Sequence, residues 1–424
     1  MIPPPRNVVP ARAYGVVVLV AVALFLFILD RQILAVLKTT LKSRMNWSDV
    51  DYSLLVTAFT AAQTVGCLFL GRFIDWAGTR VAASLSIAVM SIATIVCGMS
   101  VNLDQMLVSR AILGFADAGV TLAAVVAVVR WFPAEKRATA ISIKTPIGMM
   151  GFVVAPPLVA LIAGHHDWRY AFYVPGVIGL AVPVLWWWLD HNPPAYGEAP
   201  NAIKVPALPL GALLKHRALW GITLARLIVD PVWIFYVNWQ PGYLQEGLGL
   251  SLADVGRYAW IPPVASSALA LLGGIVSDGL IRRGVAPVRS RVYVMQSFAL
   301  FGATLWLLPF SRSLALALGV FACVHMVYSQ WNNLSGALIA DTLPKGSTGT
   351  VFGLIGFLVG LSGSLINLAI GSVIHAWGYS AVFLALGLLY PLGALALWFF
   401  YLRTPPADSC PDNARSTHAT LTPS

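Results

Sequence analysis

The chain has 424 residues, 58% of them hydrophobic and only 10% charged, with a mean hydropathy of +0.79. A soluble domain carries about 25% charged residues, so this composition excludes one and points to an integral membrane protein. The net charge of +10 comes without an extended basic run or a nucleic-acid motif, and basic loops between membrane spans account for it.

Twelve apolar spans are predicted, at 14–37, 52–71, 80–100, 104–130, 138–163, 169–190, 218–241, 256–279, 291–310, 313–340, 349–376 and 379–402. No small-residue cleavage site follows the first run, so it reads as a helix and not a signal peptide. That span carries Asp30 and Arg31, which as helix neighbours point about 100° apart and cannot share a partner. After the second span comes "GRFIDWAGTR", from Gly71 to Arg80. The fourth span holds "SRAILGFADAG", from Ser109 to Gly119, in which Arg110 and Asp117 lie two turns apart on one face, with Gly114 leaving that face open. The fifth holds Lys144 two turns in.

The stretch from Asp190 to Arg217 is rich in Pro and Ala and reads as a linker. It divides the chain into a six-helix unit at 1–190, a linker at 191–217, a second six-helix unit at 218–402 and a tail at 403–424. In the seventh span Arg226 and Asp230 stand at i, i+4 and are expected to pair within the helix, with a local kink at Pro231. The same span offers Tyr236 and Asn238 to a hydroxylated ring. After the eighth span, "GGIVSDGLIRRG" repeats the earlier loop, with Gly274 and Asp278 in the places of Gly71 and Asp75. The tenth span buries Trp331, Asn332 and Asn333 in an apolar setting, where amides pack between helices or face a cavity.

The four cysteines lack metal-ligand spacing, as do the seven histidines, and no nucleophile constellation is present. We therefore expect no enzyme, cofactor or metal site. Lys and Arg gather in alternate loops, which places both termini in the cytoplasm.

Charges inside a hydrocarbon slab cost several kcal/mol each, so they face a wet interior and mark function. Asp30 is expected to meet Arg110, leaving Arg31 to the cavity. Asp117 lies about 10 Å along the helix from Arg110, from a rise of 1.5 Å per residue, and is free to take up and release a proton. Lys144 either receives a substrate carboxylate or pairs with an acid such as Asp117.

The two matched loops resemble the signature of the major facilitator superfamily, kept here in Gly71, Asp75, Gly78 and Arg80, with Trp76 where that family has a basic residue. "ILDRQIL", "RAILGFADAG", "RWFPAEKRATA", "APPLVALIAGHHDWRYAF", "DPVWIFYVNWQPGYL" and "ADTLPKGSTGTVFGLIGF" are similar, in that order, to the anion:cation symporter family, and within it to hexuronate and related sugar-acid transporters. Gln63 stands where that family often has a substrate-contacting tyrosine, and Asp117 where it usually has Glu. The resemblance implies an all-α membrane protein of two pseudo-symmetric six-helix bundles around a central cavity. It also implies proton-coupled import of a small organic anion, a sugar acid, across the cell (inner) membrane by alternating access. In that reading Asp30, Arg110 and Asp117 serve coupling. Arg31, Gln63, Lys144, Tyr236, Asn238, Trp331, Asn332 and Asn333 serve binding. Gly71, Asp75, Arg80, Gly274 and Asp278 serve a gate. The partners are the anion, the proton and the lipid bilayer, with no obligatory protein. A dicarboxylate or aromatic-acid carrier, or an efflux antiporter, is the alternative.

Overall fold

A computed structural model describes residues 10–132, 134–191, 210–267, 269, 272–343 and 348–403. The greater part of the linker and of the C-terminal tail read from the sequence, with Cys410, lies outside the described residues. Ten helices are long and apolar enough to cross a membrane. Two of these are double. Asp49–Met99 turns back at Gly78 (φ 77°, ψ 163°), and Thr348–Gly387 turns at Gly378 (φ 75°, ψ −178°). Such left-handed backbone is open to glycine at little cost, so each glycine makes a tight turn between two separate spans.

Counting the arms separately gives twelve spans. The first six are α1 (Ala11–Val36), α2 (49–77), α3 (79–99), α4 (Leu103–Trp131), α5 (Ala134–His165) and α6 (170–189). The second six are α7 (Arg217–Glu246), α8 (252–282), α9 (287–310), α10 (Leu314–Thr342), α11 (348–377) and α12 (379–403). A short helix, Lys38–Met45, caps α1 and joins it to α2. Every span is apolar nearly all round, as a helix buried between protein and lipid must be.

The turns sort the molecule into two ends. Lys38, Ser100, Gly247, Ser311 and Gly378 lie at one end; Gly78, Phe132, Gly284 and Leu343 lie at the other. At the Lys38 end the two halves are pressed together. Ser53 of α2 packs on Gly371 of α11, and Thr64 packs on Gly360. Gly256 of α8 sits on Ala160 of α5, and the Tyr52 hydroxyl donates to the Asn238 carbonyl at 2.5 Å. Gln32 donates to the Val237 carbonyl at 3.1 Å. One and two turns past Gly360 along α11, Gly356 and Gly353 meet nothing within 4 Å. Among the described residues the halves therefore touch over the Lys38 half of the seam and part over the Gly78 half, leaving a cavity open at the Gly78 end.

Candidate functional site

The apex of that cavity is built on one close helix crossing. A Cβ on Gly114 would meet the Phe59 carbonyl oxygen at 2.1 Å, so only glycine lets α2 lie against α4 here. Gly114 does not leave the Arg110–Asp117 face open, as the spacing had implied; the backbone of Phe59 fills it. This contact sets the Phe59 ring under two cations. The Arg110 guanidinium carbon is 4.7 Å from its centroid and that of Arg31 is 5.0 Å, with Phe27 a further 5.5 Å contact for Arg31. Cation–π contact supplies part of what water would have given.

It does not supply all of it. Arg110 is 2% exposed, yet its Nε and Nη1 have no hydrogen-bond partner, and neither has Nε of Arg31. Asp117, 1% exposed, accepts from Gln63 Nε2 at 3.0 Å on one oxygen, while its other oxygen is unmatched. Thr121, one turn further along α4, has an unmatched hydroxyl too. Buried polar groups are nearly always paired, and each orphan is costly. Orphaned guanidinium nitrogens around one point form a socket for an anion that can take two or more hydrogen bonds.

The expected Asp30–Arg110 pair is not formed. Asp30 accepts from Thr94 at 2.9 Å and sits one layer behind the arginines, near enough to act on Arg110 only through space. Thr94 belongs to α3, whose register against α1 the sequence pattern did not reveal. Lys144 has no carboxylate within ion-pair range among the described residues. It does not pair with Asp117. Gly148 packs on Leu24 and Gly151 on Ile28, so Lys144 is level with residue 20 of α1. That is about 16 Å along the axis from Arg31, at 1.5 Å per residue, so Lys144 stands well toward the Gly78 end and not in the socket itself.

The second half presents Trp233 and Tyr328, stacked 3.8 Å apart and half-buried, with Tyr328 close enough to Arg31 to interact electrostatically. The sequence reading left Trp233 out of the site; its i, i+7 relation to Arg226 was the available signal. Tyr236 lies behind Trp233, buried and stacked on it at 5.3 Å. Asn238 turns its amide onto the Ile234 carbonyl at 2.9 Å within the closed seam. Trp331 is displaced from the expected binding role: it is fully buried, donates to the Met295 carbonyl at 2.9 Å and packs edge-on to Tyr390. Helical periodicity gives the depth of such a residue but not which neighbour its face meets. Arg226 pairs with Asp230 at 3.0 Å, as the i, i+4 spacing implied, and also donates to Asn332 at 3.1 Å. Asn333 is exposed.

The loop residues lie at the Gly78 end. Gly71 and Gly274 face open space, Asp75 is exposed, and Asp278, also exposed, has Arg291 at 3.8 Å. Arg80 donates to the Trp187 carbonyl at 2.8 Å and stacks over that ring. Beside it Asp190, buried and unremarked in the sequence beyond marking the start of the linker, accepts from Trp131 and Thr79, each at 2.6 Å, tying α3, α4 and α6 together.

A second charged cluster escaped the sequence reading altogether. Lys38, fully buried, forms ion pairs of 2.7 Å with both Asp49 and Glu246 and contacts the Tyr379 hydroxyl at 2.7 Å. Lys42 meets the same two carboxylates at 2.9 Å each. Burial draws the Lys38 ammonium below its ordinary pKa despite Glu246 and Asp49. In Lys42 a smaller burial cost is outweighed by hydrogen bonds to Asp49 and Glu246, which hold it above.

The chain matches the family model described as Major Facilitator Superfamily over residues 20–367. It is 26% identical over 438 residues to a hexuronate transporter of Escherichia coli (strain K12), covering 97% of this chain and 98% of that one. It is 26% identical over 274 residues to a galacturonate transporter of Dickeya chrysanthemi, covering 60% of this chain and 79% of the relative. In fold it is similar to a crystal structure of a D-xylose-proton symporter, with a TM-score of 0.73 at 15% identity, covering 94% of this chain and all of that one. With its twelve spans, two halves and sugar-acid transporter relatives, the chain belongs to the Major Facilitator Superfamily and is a membrane transporter, not an enzyme.

Proposed function

We propose that the protein imports a small organic anion, a sugar acid of the hexuronate or aldonate kind, in symport with protons by alternating access. The observation that carries this reading is the pair of guanidinium groups of Arg31, half-buried, and Arg110, buried, sharing the Phe59 ring and holding unmatched donors at the cavity apex. A carboxylate is the group that completes them. Asp117 is the coupling acid: the charge acting on it most strongly is that of Arg31, so a proton on Asp117 and an anion on Arg31 influence each other. The sugar-acid relatives support the substrate class.

The Gly78 end is the cytoplasmic one in this reading. Among the described residues the Lys38 end holds Lys38, Lys42, Arg44, Arg169, Arg257 and Arg312, four Lys and Arg lie deep within spans, and more than ten lie at the Gly78 end. The arrangement described is then inward-facing, closed outside and open inside. Purified protein in proteoliposomes tests the proposal. Labelled glucuronate, galacturonate or galactonate should accumulate when the outside is made acidic, and dissipating the pH gradient should abolish accumulation. Uptake indifferent to the gradient would overturn proton coupling, and absence of uptake for every sugar acid would overturn the substrate class.

A further inference from the structure

The Lys38 cluster holds two lysines from one half around a carboxylate from the other. Glu246 gives one oxygen to Lys38 at 2.7 Å and the other to Lys42 at 2.9 Å. Lys38 is further enclosed by the rings of Trp239 at 4.7 Å, Tyr379 at 5.1 Å and Tyr52 at 5.6 Å. Of these, Trp239, Tyr379 and Glu246 belong to the second half; Lys38, Lys42, Asp49 and Tyr52 belong to the first.

Closed, the cluster is neutral, with two lysines against Asp49 and Glu246. When the halves part at this end, Glu246, Trp239 and Tyr379 leave with the second half. The first half then keeps two lysines and one carboxylate, a net positive site at the mouth of the opened cavity, of a shape that the Glu246 carboxylate already demonstrates. Resting on the import reading above, we propose that Lys38 and Lys42 form an outer carboxylate site, plugged by Glu246 while this end is closed and occupied by the incoming substrate's carboxylate once it opens. The site lies on the first half, as do Arg31 and Arg110. An anion released from it moves along one wall, from Lys38 to Arg31 two helical turns deeper. Charge-assisted bonds to paired donors give such a site its affinity, and its positive charge raises the capture rate.

Two measurements test it. Spin labels on Arg44→Cys and Trp377→Cys, exposed positions of opposite halves, report the width of the Lys38 end once Cys67, Cys97, Cys323 and Cys410 are replaced by Ser or Ala. Glu246→Gln should move a large share of the distance distribution to longer values; the milder Tyr379→Phe, which keeps the ring, should move a smaller share. An unchanged distribution in Glu246→Gln, in folded protein, overturns the plug, whether or not a substrate is known. In uptake, Lys42→Gln should raise KM roughly three- to tenfold, with little change in kcat and a weaker salt dependence. A lower kcat at unchanged KM overturns the substrate role of the lysines. Should wild-type protein carry no sugar acid, the transport reading fails, and the spin-label result still decides the plug.

Discussion

At the scale of single residues the account rests on unmatched hydrogen-bonding groups. Arg110 offers two free nitrogens in one plane, which an ammonium cannot reproduce. Arg110→Lys should therefore fold but bind sugar acids at least tenfold more weakly, measured by equilibrium binding to purified protein. Lys144 is the opposite case: among the described residues no carboxylate pairs with it, so its removal is expected to strand no buried anion. Lys144→Ala should leave thermal stability within about 0.5 kcal/mol of wild type while raising KM, because the Gly78 side of the proposed substrate path loses a positive charge. A large loss of melting temperature would mean that Lys144 holds the fold. These sites differ in how visible they are in the sequence. Arg110 and Asp117 stand out because ionisable residues are rare in hydrocarbon. The Thr94 partner of Asp30, and the burial of Trp331 against Tyr390, depend on inter-helix register, which one chain's periodicity does not encode.

At the scale of helices the central crossing is α2 on α4. Gly114→Ala would drive a methyl group into the Phe59 backbone, which cannot swing aside as a flexible side chain can. A destabilisation of about 1–3 kcal/mol is expected, as for overpacked cores, seen as a lower unfolding temperature in detergent and rescued by no ligand. Equal stability would show that α2 and α4 separate freely. The helices themselves were legible: twelve apolar runs predicted twelve spans, and the structure adds how tightly Gly78 and Gly378 turn one span into the next. The Lys38 cluster was not, since its members lie in loops or at helix ends and come from positions 38 to 379. Asp190 was hidden for a similar reason, as nothing in a linker's first residue announces an indole and a hydroxyl donor from two other helices.

At the scale of the molecule, two halves meet over part of one seam and part over the rest. In the transport cycle proposed above, the same socket faces one side of the membrane at a time. The proposed rocking would open the Lys38 seam and close the Gly78 end, where Asp75 and Asp278 are exposed. Coupling then requires one group whose proton changes with the side it faces, and Asp117 is placed for it, on Gln63 and within reach of the Arg31 charge. The most direct measurement is substrate counterflow beside pH-gradient-driven uptake, in proteoliposomes holding folded Asp117→Asn. The asparagine mimics a permanently protonated acid, so exchange of substrate for substrate should survive while concentrative uptake is lost, and Asp117→Glu should retain both. If Asp117→Asn still concentrates substrate along a proton gradient, the coupling group is not Asp117 and the central claim is wrong.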